Sequence, residues 1–228
     1  ESDTWVTLTN NNIFVGAPLP MHMLYRNYLR VVASVDEQVG RLLGLLERMG
    51  ELDNTVIVYA GDNGHLFGEH GLYDKRNAYE ESMRIPLLIR YPKLVGRTGP
   101  RDQMVLNIDL APTLLEIIGA EIPSFMQGRS MAPFLKNPSL EGRDAFLYEH
   151  FPVFPIPIPG ITAVRTKDFK YIRYQKGTWR DQLFDLRNDP RELHNIIGTK
   201  AGKEALPDLQ KRLEQLKEET RYRFFTHG

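Results

Sequence analysis

Between Met21 and Met49 apolar residues return at three- and four-residue steps: Tyr28, Val32, Val35, Val39, Leu42 and Leu46, with Arg30, Glu37, Arg41, Glu47 and Arg48 between them. That period predicts an amphipathic helix, and Gly50 stands where a left-handed C-terminal cap belongs. The pattern then changes. Thr55–Tyr59 and Ile85–Tyr91 are β-branched, apolar runs without polar alternation, which suits strands covered on both faces, as in a parallel sheet. Asp109 can cap a further helix, with Pro112 in its first turn, Leu114, Leu115 and Ile118 on its apolar face, and Gly119 as its stop.

Near Gly142 the character shifts. Phe146–Tyr148, Thr162–Arg165, Lys170–Tyr174 and Gln182–Asp185 are short runs separated by turn signals, which predicts a small antiparallel sheet. Residues Pro152 to Gly160, PVFPIPIPG, cannot form a central strand and read as an extended loop. Pro207 opens a final amphipathic helix carrying Leu209, Leu213 and Leu216. The order of elements is α/β. It divides into residues 1–142, an α/β part, and 143–228, a small α+β subdomain whose antiparallel sheet packs with the terminal helix.

Composition narrows the chemistry. At 228 residues and 42% hydrophobic the chain can bury a real core. Lys plus Arg equals Asp plus Glu, 29 against 29, so charge gives no reason to expect nucleic acid or an anionic membrane. No apolar run is long enough to span a bilayer. The absence of cysteine excludes disulfides, zinc–thiolate sites and a thiol nucleophile within this chain. Its first residue is Glu1, which suggests a processed product or a fragment and makes the lack of a signal peptide uninformative about location.

The stretch AGDNGHLFGEHGLYDK, Ala60 to Lys75, follows the first predicted strand directly and concentrates the polar chemistry. In open α/β sheets ligands sit beyond the carboxyl ends of strands, so Asp62 and Asn63 are candidates, and their oxygens are hard donors suited to Ca²⁺ or Mg²⁺. Asp-Asn-Gly is also simply a good turn. His65 and His70 with Asp62 could form a zinc site, although the spacing is not the one-turn helical pair of typical zinc enzymes. Lys75 follows the glycine-rich loop, where an ammonium can meet an anionic ligand. Glu80, Glu81 and Arg84 read as ion-paired or solvated residues on a short connection, Asp189-Pro190 as a turn, and His194 as structural. The proline-rich loop and Trp179 form either a connection or a pocket rim.

VIVYAGDNGHLFGEHGLYDKRNAYEESMRIPLLIRYP resembles the sulfatase family of the alkaline-phosphatase-like superfamily. IDLAPTLLEIIGAEIP, MQGRSMAPFL, AVRTKDFKYIRY and QLFDLRNDPRELHNI resemble further family segments in the same order, from about Tyr25 onward. The resemblance implies a partial alkaline-phosphatase-like sandwich with a mainly parallel sheet. It implies that Asp62 and Asn63 hold a divalent cation, usually Ca²⁺. Lys75 would contact the sulfate, His70 would sit in the same pocket, catalytic or touching substrate, and His65 would be a more variable substrate neighbour. A cation and an ammonium there stabilise charge on ester oxygens, and an imidazole can move a proton.

The family nucleophile is a formylglycine made within Cys/Ser-x-Pro-x-Arg. The chain has no cysteine, and Ser124 (SFMQG) and Ser139 (SLEGR) do not start such a motif. The expectation is therefore the C-terminal part of a sulfatase, without turnover on its own, whose partners are a sulfate ester, such as a sulfated glycan or aryl sulfate, and the N-terminal half of the catalytic domain. Export (periplasmic, secreted or lysosomal) follows from the resemblance alone. Two other functions stay open: a phosphodiester or phosphonate hydrolase of the superfamily, and a non-catalytic glycan- or metal-binding protein.

Overall fold

A computed structural model describes residues 20–96, 98–152, 158–175 and 179–222. Residues 1–19 lie outside the described residues, as does the centre of the proline-rich loop, 153–157, and with it the expectation for that stretch. The first helix, α1 (Met21–Arg48), has the predicted extent. It closes as expected: Gly50 takes φ 71°, and the N–H groups of Gly50 and Glu51 reach back to the carbonyls of Glu47 and Leu46. None of its residues is buried, and Leu42 is 62% exposed.

The chain is α/β, and its C-terminal part is the predicted four-stranded antiparallel sheet with a terminal helix. One feature differs from expectation. Strands β1 (Ile57–Ala60) and β4 (Leu87–Arg90) pair with each other, and they run antiparallel, Ile57 opposite Arg90 and Ala60 opposite Leu87. All three sheets of the described residues are antiparallel. An apolar run reports burial and carries no information on strand direction; here the intervening segment folds straight back, so a hairpin-like pair results. Nor are the two strands covered: neither holds a buried residue, and Leu88 is 61% exposed.

Between them lie the short strands β2 (Leu66–Phe67) and β3 (Tyr73–Asp74) and the single-turn helix α2 (Glu80–Met83). After β4 come α3 (Leu110–Ile117) and α4 (Ala132–Lys136). Asp109 precedes α3 but does not cap it with its side chain. Its carboxylate is 1% exposed and accepts from the N–H groups of Leu106 and Arg129 and from both terminal nitrogens of Arg143, at 2.5 and 2.9 Å. A buried carboxylate with four charge-assisted or backbone donors is fully satisfied, and this one fixes three separate loops at one point.

The meander β5 (Ala145–His150), β6 (Gly160–Thr166), β7 (Phe169–Gln175) and β8 (Gln182–Asp185) is ordered as in the sequence. The period of two splits its side chains. Ala145, Val164, Tyr171 and Leu183 pack with Leu209, Leu213 and Leu216 of α5 (Lys200–Glu219). Ile161, Ala163, Ile172, Tyr174 and Phe184 face the other way, onto Ala78 and Tyr79. The sheet is thus sealed by a helix on one side and by the segment leading into α2 on the other. The terminal helix begins seven residues earlier than Pro207 suggested, at Lys200. Thr199 caps it by accepting from Gly202 N–H at 3.1 Å, and Pro207 lies inside it.

Candidate active site

Strand β1 delivers the chain to Gly61, whose N–H donates to Pro86 O. Asp62 is exposed, and its Oδ1 accepts from Asn63 N–H at 2.9 Å. Gly64 then runs against α2: its N–H donates to Ser82 O at 2.9 Å, and a Cβ there would stand 2.0 Å from the Glu81 carbonyl oxygen. Only glycine fits this approach. Strands β2 and β3 pair over two residues, Leu66 opposite Asp74, and fold the glycine-rich loop back on itself. That return brings Lys75 to Asn63, with Nζ 2.7 Å from Oδ1. Lys75 stands between Asp74 and Arg76, which are ion-paired and have φ of 78° and 79°. Left-handed backbone is tolerated by aspartate but costly at arginine, so Arg76 marks a geometry imposed by the surroundings.

His65 packs its ring 4.4 Å from Phe67 and 4.9 Å from Tyr73. Burial holds it below the usual imidazole range; the Lys75 ammonium adds to this, while Asp74 opposes it. Phe67 in turn meets Tyr25 and Tyr28 of α1 at 5.7 and 4.9 Å. The resulting cleft, about 530 Å³, includes Asn63, His65, Tyr73, Glu81 and Arg84 in its lining, with Leu24 and Tyr28 from α1.

His70 lies behind this wall. Its side chain is 9% exposed, its Nε2 is 3.3 Å from Glu81 Oε2, and its ring stacks on Tyr79 at 3.8 Å with 8° between planes. Of the two acidic residues read as ion-paired or solvated, Glu80 is ion-paired, while Glu81 makes its contact to the His70 imidazole. Glu80 pairs with Lys170 Nζ at 2.8 Å, and that ammonium also meets Glu192 Oε1 at 2.6 Å. Lys170 and Glu192 side chains are wholly buried. Burial pushes Glu80 up, but Lys170 and Arg165 outweigh it and leave the carboxyl below its usual range. For Glu192 burial prevails over Lys170, and its carboxyl stands above that range.

The structure therefore brings Asn63 and His65 to one cleft, with Lys75 bonded to Asn63 and Asp62 exposed beside it in sequence, and reaches His70 only through Glu81. The zinc alternative is not assembled. Among the described residues the His/Asp/Glu group close enough to share a metal is His70, Glu81 and Glu192, with ligand atoms within 4.8 Å of one another; it omits Asp62 and His65. In that group Lys170 already supplies the positive charge beside Glu192. Sequence reading missed Lys170 and Glu192, since neither has a local signal and they meet α2 only through the sheet. It also missed the aromatic ledge Tyr28, Phe67 and Tyr73. Trp179 stacks on Tyr174 at 5.3 Å.

Solved structures define the class first. The chain superposes with TM-score 0.81 and 39% identity on a protein solved in complex with its substrate D-glucosamine-2-N,6-O-disulfate, covering 86% of this chain and 40% of that one. It also superposes with TM-score 0.75 and 26% identity on a phosphonate monoester hydrolase of Silicibacter pomeroyi, covering 88% and 42%. This is the sulfatase-like α/β fold of the alkaline-phosphatase-like superfamily. Residues 68–219 match the family model for the C-terminal part of N-sulphoglucosamine sulphohydrolase, and residues 6–120 match the sulfatase model. The chain belongs to the sulfatase family. It is 42% identical over 203 residues to the N-acetylglucosamine-6-O-sulfatase of Bacteroides thetaiotaomicron, covering 87% of this chain and 36% of the relative. It is 32% identical over 188 residues to an arylsulfatase of Clostridium perfringens, covering 81% and 38%. The chain thus spans well under half the length of these relatives.

Proposed function

We propose that this chain supplies the strand-end part of a sulfuric ester hydrolase site, acting on a sulfated amino sugar. In this reading residues 1–142 belong to the α/β catalytic domain and 143–228 form the subdomain beneath it. The observation that supports the reading most is the contact of Lys75 Nζ with Asn63 Oδ1 at 2.7 Å, which ties an ammonium to a strand-end oxygen donor that lines the cleft. The 42% identical relative, an N-acetylglucosamine-6-O-sulfatase, supports the substrate class.

Asp62 and Asn63 fit part of a hard-cation site. Both offer oxygen donors, and such ions take six to eight, so the remaining ligands must come from elsewhere. The Asn63 amide oxygen has two lone pairs, so accepting from Lys75 leaves one for a cation. Ca²⁺ is the ion expected there; when bound, it would stabilise negative charge on the ester oxygens. Lys75 binds a sulfate oxygen as a point charge. His70, next to the cleft-lining Glu81, is assigned proton exchange with the leaving oxygen from the family resemblance, and His65 borders the substrate. The formylglycine nucleophile of the family lies on residues outside this chain, as does the N-terminal half of the domain. No described helix is long and apolar enough to cross a membrane, and export is inferred from the family alone.

The test is sulfate release from N-acetylglucosamine-6-sulfate by the protein carrying this chain with the rest of its sulfatase domain. Lys75→Ala is expected to lower turnover by about 10²–10³-fold, the usual loss for a removed charge-stabilising group. An unchanged rate would overturn the assignment. The similarity to phosphonate monoester hydrolases favours one second reading. A higher kcat/KM on a phosphonate monoester than on any sulfate ester would establish it.

A further inference from the structure

His70 is held more tightly than a loop imidazole needs to be. We propose that Glu81 is a positioning residue for His70, held in place from the C-terminal sheet by the buried Lys170–Glu192 pair. The inference rests on the reading of His70 as a proton-transfer group.

Glu81 Oε2 is 3.3 Å from His70 Nε2. An ionised carboxylate only accepts, so Nε2 must carry the proton, and Nδ1 becomes the atom free to exchange one. The Tyr79 stack at 3.8 Å fixes the ring plane, and Tyr79 is itself anchored through its hydroxyl to Gln182 at 2.9 Å. Tautomer and plane are thus set by two different contacts. The backbone of His70 is left-handed, φ 56°, an uncommon conformation that sets the direction in which its side chain leaves the loop.

Glu81 sits on α2, which has four residues and could not persist alone. It is clamped from both sides. Gly64 presses on its carbonyl, as described. From the sheet, Glu192 Oε2 accepts Glu80 N–H at 2.7 Å, and Lys170 bridges Glu80 and Glu192 at 2.8 and 2.6 Å. Glu192 itself has left-handed backbone, φ 55°. The line of support runs from β7 through α2 to the imidazole.

A purely structural Glu81 would affect stability and leave the imidazole chemistry alone. Long-range ¹H–¹⁵N spectra of the labelled full chain separate the two roles, with the His70 signals assigned by His70→Asn. The wild type is expected to show the Nε2–H tautomer. Glu81→Leu should abolish the preference, and Glu81→Gln, whose amide oxygen still accepts, should restore it. In the protein with its complete sulfatase domain, Glu81→Leu should lower kcat by about 10–100-fold with KM changed less than about twofold, and Glu81→Gln should recover part of the loss. An Nδ1–H tautomer in the wild type, or a tautomer indifferent to Glu81→Leu, would overturn the proposal and leave the sulfatase reading intact. Undiminished turnover in His70→Asn would instead remove the catalytic reading of His70, and the proposal with it.

Discussion

The two ends of this chain handle apolar surface in opposite ways. The sheet β5–β8 buries both faces, with Ile161, Ala163, Val164, Ile172 and Leu183 all at zero exposure. Helix α1 buries no residue, and Val31, Leu42 and Leu45 stand open. Both segments carry a strong apolar period, so the sequence alone would give them the same weight. The difference lies in what each is given to pack against. The sheet meets α5 on one side and Tyr79 on the other, whereas α1, apart from Tyr25 and Tyr28 on Phe67, and the β1–β4 pair present apolar faces with little cover in the described residues. Stability is therefore concentrated in the C-terminal layer, while the candidate chemistry projects from the less covered one. The buried ions around α2 connect them.

The largest effect should come from cutting that connection. Lys170→Met leaves the buried Glu192 without its cation and Glu80 with Arg165 alone, and losing one member of a buried ion cluster costs about 3–5 kcal/mol. Urea unfolding should show it. The same cluster has a pH signature. Glu80 has a folded-state carboxyl below its usual range, so its contribution is complete above that range and is lost as pH falls through it toward the lowered value. Glu80→Gln should flatten this acid limb, and an acid limb identical to wild type would break the link between the two layers. Next in size, Leu213→Ala opens a void under the sheet and should cost about 2–5 kcal/mol. The smallest effect belongs to α1, where Leu42→Ala should change stability by less than about 0.5 kcal/mol. A large loss at Leu42 in the isolated chain would mean that α1 is covered in solution, and the contrast would fail.

Much of the fold was legible because it depends on local rules. Periodicity located α1 and all four strands of the C-terminal sheet, and Gly50 marked the helix end through its left-handed φ. Strand direction between β1 and β4 was not legible, because pairing depends on the path of the intervening loop. The start of α5 was missed because Gly202 and Pro207 argue against a helix, while burial of Leu209, Leu213 and Leu216 and the Thr199 cap outweigh them. Gly202 is needed there for a reason no propensity records: a Cβ would meet Ile196 O at 1.9 Å. At the site, the juxtaposition of Asn63 with Lys75 followed from a compact motif. Glu192 is 112 residues from Glu80, and only the assembled sheet brings the two together.

His70, Asp74, Arg76 and Glu192 share one conformational oddity, a left-handed backbone without glycine. At Arg76 glycine would relieve roughly 1 kcal/mol of it, whereas at Glu192 and His70 it would also remove the buried ion pair or the ring stack, which costs more. A laboratory selection for thermostability alone would be drawn to Arg76 and its neighbour Asp74. Its winners would be tougher proteins with a slackened cleft, an instance of the familiar trade between robustness and catalytic skill.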